Sequence, residues 1–229
     1  MSFSLNPVPK VISFDCYGTL VRWREVLHQA IGTVLRRHGS PLDPFVLLDT
    51  YNAEAKPLQN GPEHLGYKVI LRRCYAAAFA KHGVPATAED IESIVQSIKT
   101  MGPHAETVDV LRRLKTRYRL AIFTNSDDDL IVHNVRLLQV PIDHVITAEQ
   151  AQAYKPSRRI FEHAHRVMGV TKDETVHVAM SLDLDMQACK QLGIRGIWIN
   201  RLGIPANPDW KPYEELPDLR GLPALLGVA

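Results

Sequence analysis

The chain has 229 residues, of which 45% are hydrophobic and 23% charged, the proportions of an ordinary soluble globular protein. This length predicts one compact domain, or a core that carries a modest insertion. The formal net charge of +2 excludes a strong electrostatic field, so we expect neither nucleic acid nor a membrane surface as a partner.

No segment is expected to direct the chain into a membrane or to anchor it there. The first ten residues contain no apolar run of signal-peptide length, and nowhere do roughly 18 apolar residues follow one another. The cysteines Cys16, Cys74 and Cys189 are widely spaced and odd in number, and they form no CxxC pair. We therefore expect a cytoplasmic protein with reduced thiols.

The first predicted element is a short buried strand, Val11-Ile12-Ser13-Phe14, which ends at Asp15. From about residue 23 to about residue 99 the apolar residues follow a helical period. Glycine and proline residues divide this segment into helices, which are predicted at residues 23–38, 45–58, 64–81 and 88–98. No convincing strand lies inside it.

After Pro103 the pattern changes to an alternation of helices and strands. Four more strands are predicted at residues 120–123, 144–146, 176–179 and 196–199, and they alternate with helices at 108–114, 130–138, 160–168 and 186–192. This alternation predicts right-handed crossovers and an α/β core with a Rossmann-like parallel sheet. The proline-rich tail from Pro205 is expected to wrap over the surface and to end in a short helix.

A long helical insertion between the first two strands is the unusual feature of this organisation. About a hundred residues separate these strands, and most of them are predicted to be helical. A lid over a site at the end of the first strand would explain the insertion. We therefore predict a Rossmann-like catalytic core of residues 1–20 and 101–229, and an inserted helical cap domain of residues 21–100.

Polar and charged residues follow the predicted strands, where open parallel sheets bind their ligands. Each group has an ordinary structural explanation, such as an Asx turn, a helix N-cap or a solvated lysine. Together they predict one site, because a nucleophilic carboxylate, a hydroxyl–amide pair, a lysine and a second carboxylate would converge. The groups are Asp15 after the first strand, Thr124-Asn125-Ser126-Asp127 after the second, Tyr154-Lys155-Pro156 after the third, and Met180, Ser181, Asp183 and Asp185 after the fourth.

These segments resemble the four motifs of the haloacid dehalogenase superfamily. The first motif is similar to Phe14-Asp15-Cys16-Tyr17-Gly18-Thr19-Leu20, the second to Ile122-Phe123-Thr124-Asn125, the third to Tyr154-Lys155-Pro156, and the fourth to Ser181-Leu182-Asp183-Leu184-Asp185. Their order and spacing fit along nearly the whole chain, and the helical insertion falls where that family places its cap domain. The resemblance implies a hydrolase with an aspartyl nucleophile on a Rossmann-like core.

Two positions distinguish the branches of that superfamily. Most similar members are magnesium-dependent phosphatases, which carry a second aspartate in the first motif and an acidic magnesium ligand just before the serine of the fourth. Here these positions are Tyr17 and Met180. A phenol cannot replace a carboxylic acid of suitable pKa, and a thioether is a poor magnesium ligand. The first motif instead resembles that of the 2-haloacid dehalogenases, which need no metal or other cofactor.

The resemblance to that branch implies nucleophilic catalysis in two steps. Asp15 would displace halide with inversion from a short 2-haloalkanoic acid, and water would then hydrolyse the ester to a 2-hydroxy acid. Lys155 would keep Asp15 ionised, and Asp185 would help to activate the water. The implied substrate-binding groups are the backbone amides of Cys16 and Tyr17 with Thr124 for the carboxylate, Asn125 for the halide, and Ser181.

The chain also departs from the 2-haloacid dehalogenases. Their cap arginine, which contacts the halide, has no secure counterpart, and Arg24, Arg72 and Arg73 are weak candidates. Where those enzymes carry an aromatic hydroxyl, an asparagine and a serine, this chain has Phe161, Leu182 and Met180. These differences leave the substrate open, whereas the fold and the nucleophile do not depend on them.

Three other functions stay open. A magnesium-dependent phosphatase would bind its metal through Asp15, Asp127 and either Asp183 or Asp185. However, Asp127-Asp128-Asp129 is more simply explained as the acidic N-terminus of a helix. A non-catalytic binding protein on the same scaffold is the second alternative. A hydrolase with Cys16 as nucleophile is the weakest, because this side chain should point away from Asp15. A small carboxylate substrate and a homodimer are expected from the family likeness alone.

Overall fold

Six strands form one parallel sheet in the computed structural model, which describes residues 5–228. They are β1 (Val11–Phe14), β2 (Arg119–Thr124), β3 (His144–Thr147), β4 (Thr175–Ala179), β5 (Arg195–Ile199) and β6 (Tyr213–Leu216). Their order is β3-β2-β1-β4-β5-β6, and every neighbouring pair is parallel. The predicted α/β fold is thus confirmed. The first four residues of the N-terminal segment considered above lie outside the described residues.

Ten α-helices accompany this sheet in the described part of the chain. Four of them lie between β1 and β2, namely α1 (Trp23–Arg37), α2 (Pro44–Gln59), α3 (Tyr67–Lys81) and α4 (Ala88–Ser97). The others are α5 (Thr107–Lys115), α6 (Asp128–Leu138), α7 (Ala148–Ala151), α8 (Arg158–Met168), α9 (Gln187–Leu192) and α10 (Leu222–Leu225). None of the helices within residues 5–228 is both long and apolar enough to cross a membrane. The division into core and cap domains stays a prediction.

Helices cover both faces of the sheet, because alternate strand residues point to opposite sides. Ile12 and Phe14 of β1 belong to one buried apolar cluster, together with residues of α5, α6 and α10. Val11 belongs to a second cluster, with residues of α8 and α9. The buried faces of α1 to α4 join the first cluster. The central strands β1, β2, β4 and β5 are therefore buried on both faces, which explains why they appear in the sequence as short continuous apolar runs.

The tail contains a strand that the sequence analysis did not predict. β6 pairs in parallel with β5, with Tyr213 opposite Gly196. Its sequence, Tyr-Glu-Glu-Leu, lacks an apolar run, because β6 lies at the edge of the sheet and exposes Glu215. The prediction of a tail that only wraps over the surface is therefore wrong, whereas α10 provides the short final helix.

The strand order creates a crevice between the carboxyl ends of β1 and β4. From β1 the chain passes to β2 and β3 on one side, and it then returns to β4 on the other side. Open α/β sheets bind ligands at such a switch point. The backbone amide of Asp15, the first residue after β1, donates to the carbonyl of Val178 in β4 at 3.0 Å. The segments that follow these two strands therefore begin side by side.

Candidate active site

The loop after β1 turns sharply and holds the carboxylate of Asp15. Gly18 has a φ of 89°, in the left-handed region that favours glycine, and a Cβ there would lie 2.8 Å from Sδ of Met180. After this turn, Oγ1 of Thr19 donates to Oδ2 of Asp15 at 2.8 Å and accepts the backbone amide of Met180 at 2.8 Å. Thr19 thus joins the nucleophile loop to the end of β4.

A buried lysine bridges two carboxylates. Nζ of Lys155 lies 2.8 Å from Oδ1 of Asp15 and 2.7 Å from Oδ1 of Asp185. The three side chains are almost inaccessible, with 1% of Lys155, 11% of Asp15 and none of Asp185 exposed. Burial lowers the pKa of Lys155, but the two carboxylates outweigh this effect and raise the pKa above its usual value. The ammonium therefore stays protonated.

Asn125 fixes the backbone that carries this lysine. Its Nδ2 donates to the carbonyl of Lys155 at 3.1 Å, and its Oδ1 accepts the amide of Lys155 at 2.7 Å. Both hydrogen-bonding groups of one backbone residue are thus satisfied by one side chain. Asn125, which directly follows β2, therefore fixes the position of Lys155.

A single turn of π-helix, Leu182–Met186, presents Asp185 to the lysine. Such turns are rare and occur frequently at functional sites. Oδ1 of Asp185 accepts hydrogen bonds from both Lys155 and His177. Its other oxygen, Oδ2, is buried and has no hydrogen-bond partner among the described residues. Oδ1 therefore holds the carboxylate in place, whereas Oδ2 can accept a further hydrogen bond.

His177 is a member of this network that the sequence analysis treated only as a residue of β4. Its Nε2 lies 2.9 Å from Oδ1 of Asp185, its Nδ1 lies 2.9 Å from Oγ of Ser13, and its ring stacks on Phe123. An ionised carboxylate can only accept, so Nε2 carries a hydrogen and donates it. The signal in the sequence was a histidine inside a strand that is otherwise apolar and buried.

The two carboxylates differ in how readily they hold a proton. Burial, the largest effect, raises the pKa of Asp15, Lys155 opposes it, and the neighbouring Asp185 adds to it, so the pKa stands above its usual value. For Asp185, burial also raises the pKa, but Lys155 and His177 outweigh burial and the pKa is lowered. When the pair takes up a proton, we therefore place it on Asp15, with Asp185 as the ionised partner.

These charged groups lie at a cavity of about 600 Å³. One face of α2 forms part of its wall, which includes Tyr51 and Ala55, and Tyr67 at the start of α3 also contributes. The structure brings six of the predicted site residues to this cavity: Asp15, Tyr17, Asn125, Lys155, Ser181 and Asp185.

Cys16 and Thr124 were also predicted as site residues, but both are fully buried and neither lines the cavity. Burial raises the pKa of the Cys16 thiol well above its usual value, which makes this thiol a poor nucleophile. Within residues 5–228, the backbone amides of Cys16 and Tyr17 donate no hydrogen bond. The hydroxyl of Thr124 is likewise without a partner in the described residues. These three donors therefore have no acceptor among the described residues.

None of the three arginines considered for halide binding lines the cavity. Arg24 lies over the ring of Phe45, 4.7 Å from its centroid, and Arg72 pairs with Glu92. In the described part of the chain, the positively charged side chains of the cavity are Lys155 and, on α2, Lys56. Lys56 was not among the predicted site residues, because it lies in the helical insertion and in none of the four motifs.

The residues at the end of β4 do not suit a magnesium ion. Both oxygens of Asp15 are hydrogen-bonded, to Lys155 and Thr19, and Met180 packs its sulfur against Gly18. Within residues 5–228, no group of three or more His, Cys, Asp or Glu side chains is close enough to hold a metal. Asp15 therefore has no carboxylate oxygen without a hydrogen bond, and Met180 offers a thioether, which is a poor ligand for magnesium.

Asp127, considered above as a magnesium ligand or an acidic helix terminus, has a different role. It precedes α6 but makes no side-chain cap there. Its carboxylate instead accepts the backbone amides of Tyr67 and Lys68, at 2.8 and 3.0 Å, at the start of α3. Asp127 thus caps another helix, and it fixes the end of α3 that lines the cavity.

Comparisons with known proteins identify the family of this chain. A family model described as haloacid dehalogenase-like hydrolase matches residues 9–193. The (S)-2-haloacid dehalogenase of Pseudomonas sp. (strain YL) is 28% identical over 156 residues, which are 64% of this chain and 65% of that protein, slightly less than two thirds of its length. The (S)-2-haloacid dehalogenase H-109 of Pseudomonas putida is 28% identical over 213 residues, 87% of this chain and 88% of that one.

A phosphatase is also among the relatives, and the solved structures match the fold. The glyceraldehyde 3-phosphate phosphatase of Pyrococcus abyssi is 28% identical over 204 residues, 82% of this chain and 80% of that one. The L-2-haloacid dehalogenase from Xanthobacter autotrophicus superimposes with a TM-score of 0.81 and 20% identity, over 96% of this chain and 99% of that chain. Since the family model covers more than half of the sequence and the fold matches throughout, the chain belongs to the haloacid dehalogenase-like hydrolases.

Proposed function

We propose that this hydrolase is a metal-independent 2-haloacid dehalogenase, which converts a 2-haloalkanoic acid into a 2-hydroxy acid. One observation carries the proposal. The Lys155 ammonium lies between Asp15 and Asp185 at a cavity whose donors do not suit magnesium. A halide is a stable leaving group, so this chemistry needs no metal to stabilise it, in contrast to phosphoryl transfer.

The first step is attack by Asp15 on carbon 2 of the substrate. Lys155 and Thr19 each donate to one carboxylate oxygen, which favours the ionised, nucleophilic form. The new bond joins this carboxylate to carbon 2 while the carbon–halogen bond breaks, and the electron pair leaves with the halide. The product of this step is an ester of Asp15, with inverted configuration at carbon 2.

The substrate carboxylate is assigned to the three donors that lack partners. They are the backbone amides of Cys16 and Tyr17 and the hydroxyl of Thr124. Buried donors without an acceptor are costly, and a carboxylate supplies several acceptor sites. We assign Asn125 primarily to positioning, because its side chain is already bonded to the backbone of Lys155.

The second step is hydrolysis of the ester, with Asp185 as general base. Its free oxygen, Oδ2, accepts a proton from water, and the water oxygen attacks the ester carbonyl. The carbonyl of Asp15 re-forms as the 2-hydroxy acid leaves and takes up the proton. His177 and Lys155 hold the opposite oxygen, Oδ1, and so keep Oδ2 in place.

A halide-release screen tests the proposal. Chloroacetate, fluoroacetate and both enantiomers of 2-chloropropionate are incubated with the protein, with and without EDTA. We expect halide release that EDTA does not change. A single turnover in isotopically labelled water should place the label in Asp15, detected by peptide mass spectrometry. The absence of halide release from every substrate would contradict the proposal.

A magnesium-dependent phosphatase is the second candidate, since the Pyrococcus abyssi phosphatase is a relative of similar identity. It predicts phosphate release from p-nitrophenyl phosphate that requires magnesium and stops with EDTA. A non-catalytic binding protein predicts release of neither product from a folded chain. The same set of assays therefore separates all three functions.

A further inference from the structure

We propose that the substrate is a long 2-haloacid, whose carbon 2 carries an apolar chain or an aromatic group that lies along α2. This inference rests on the proposed function, and it departs from the short acids that the family resemblance implies. The features that support it are the size of the cavity, the direction of its α2 wall and the apolar side chains around it.

The cavity is much larger than a short haloacid needs. Its volume of about 600 Å³ falls in the range of pockets that enclose drug-sized ligands. At about 30 Å³ per molecule of liquid water, this space corresponds to roughly 20 waters. Chloroacetate or 2-chloropropionate would displace only a few of them. Asp15 would then react in a hydrated cavity, although nucleophilic attack by a carboxylate gains from the expulsion of water.

One face of α2 gives the cavity a long axis. Tyr51, Ala55 and Gln59 line it at intervals of one helical turn, and Asn52 and Lys56 lie beside them. At about 1.5 Å per residue, the stretch from Tyr51 to Gln59 extends for about 12 Å. Tyr51 and Ala55 are 4% and 3% exposed, whereas Gln59 is partly exposed and Asn60, at the end of the helix, is exposed. The wall therefore runs from the interior to the solvent.

The tail and the turn after β4 add apolar surface to this space. Leu182, Ile204 and Trp210 line the cavity, and Ile204 is 45% exposed. Charged side chains meet at the outer end, where Nζ of Lys56 lies 3.7 Å from Oδ2 of Asp183. A hydrocarbon substituent would cover the apolar wall and end at this polar rim.

A chain-length series tests the inference in two ways. In the first, kcat/KM for halide release is measured with 2-chloroalkanoates of three to ten carbons. We expect a rise of about fourfold per methylene, the effect of burying one CH₂. In the second, calorimetry gives the Kd of the corresponding 2-hydroxyalkanoates, which undergo no reaction, and the same trend is expected.

The two measurements separate the inference from the proposed function. Halide release that is fastest for chloroacetate, with a Kd that does not change with chain length, would overturn the inference and leave the dehalogenase intact. A Kd that falls with chain length, without halide release from any substrate, would support the long apolar ligand and overturn the dehalogenase chemistry.

Two pairs of variants locate the effect on the cavity wall. Ala55→Phe fills the space beside α2, and Ala53→Phe is its control on an exposed position of the same helix outside the wall. We expect Ala55→Phe to lower kcat/KM for the ten-carbon substrate at least tenfold more than kcat/KM for chloroacetate, and to raise the Kd of the longest 2-hydroxyalkanoate by a similar factor. Ala53→Phe should change kcat/KM for neither substrate.

The second pair does not depend on a buried position. Ile204→Ala removes part of the apolar wall, and Leu202→Ala removes a side chain that is 48% exposed and does not line the cavity. We expect a loss of about tenfold for the ten-carbon substrate in Ile204→Ala and none in Leu202→Ala. Three fully buried methylene-sized groups would give about 60-fold, and the expected loss is smaller because Ile204 is 45% exposed. Equal effects of either pair on short and long substrates would overturn the inference.

Discussion

Nε2 of His177 lies 2.9 Å from Oδ1 of Asp185, the same oxygen that accepts the Lys155 ammonium. Two donors therefore hold one oxygen of this carboxylate. The other oxygen has no partner within residues 5–228. This division allows one buried aspartate to be both fixed in position and free to accept a proton.

His177→Leu should slow hydrolysis of the ester by at least about tenfold, because Oδ2 of Asp185 would no longer be held in line for the water. Formation of the ester should change much less. Rapid-quench measurements should then show a burst of halide followed by slow turnover, and intact mass should show the ester on the protein. His165→Leu is the control, since its ring bonds to Thr175 outside the site. Equal slowing of both steps in His177→Leu would argue against this positioning role.

Lys155→Met should abolish halide release, by at least about 10³-fold, because it removes the cation that favours ionised Asp15. It also leaves two buried carboxylates without their partner. We expect the free energy of unfolding in urea to fall by about 3–5 kcal/mol at neutral pH. The double variant Lys155→Met/Asp185→Asn should recover part of this stability but no activity. A double variant as unstable as the single one would show that the two carboxylates do not repel each other.

The rate of ester formation should fall at a pH above the usual range of a carboxyl group, which titrates near a pKa of about 3.9. Burial raises the pKa of Asp15, with a further contribution from Asp185. Only the ionised form attacks, so the burst rate decreases as the pH falls through this raised pKa. In Asp185→Asn the like charge is gone, and the midpoint of the burst rate should move to lower pH. A midpoint at or below the usual value in the unchanged protein would contradict the assignment.

Asp127→Ala should lower the free energy of unfolding by about 1–2 kcal/mol, since it removes the cap that binds two backbone amides of α3. Because Tyr67 lies at this helix start and lines the cavity, KM should rise more than kcat falls. Asp129→Ala, which removes only an exposed partner of Lys68, should have little effect on either quantity. Steady-state kinetics measures KM and kcat, and urea unfolding measures the free energy of unfolding. A loss of stability without a change in KM would show that Asp127 stabilises the fold but does not affect substrate binding through Tyr67.

Much of the fold follows from the sequence, because strands buried on both faces produce continuous apolar runs and helices produce a regular apolar period. β1 and β4 were predicted at almost their observed residues for this reason. β6 was not, since an edge strand of four residues with two glutamates carries neither signal. Its place in the sheet depends on β5, which lies beside it in space.

The residues of the site were predictable where reactive side chains lie in the segments that follow the strands. Asp15 directly follows β1, Lys155 lies between β3 and α8, and Asp185 lies between β4 and α9. The structure brings the three side chains within hydrogen-bonding distance. The contact of His177 with Asp185 depends on the π-helical turn, which has no signature in a single sequence. Asp127 meets an amide 60 residues away, a pairing that only the packing of α3 determines.

The edge position of β6 bears on how copies of this chain could associate. An edge strand offers backbone groups that can template a strand of another molecule. β6 carries Glu214 and Glu215 in succession, one on each face of the sheet. Strand pairing of two copies along this edge would bring like charges together on both faces, which is unfavourable. We therefore expect that two copies do not pair strand to strand along this edge.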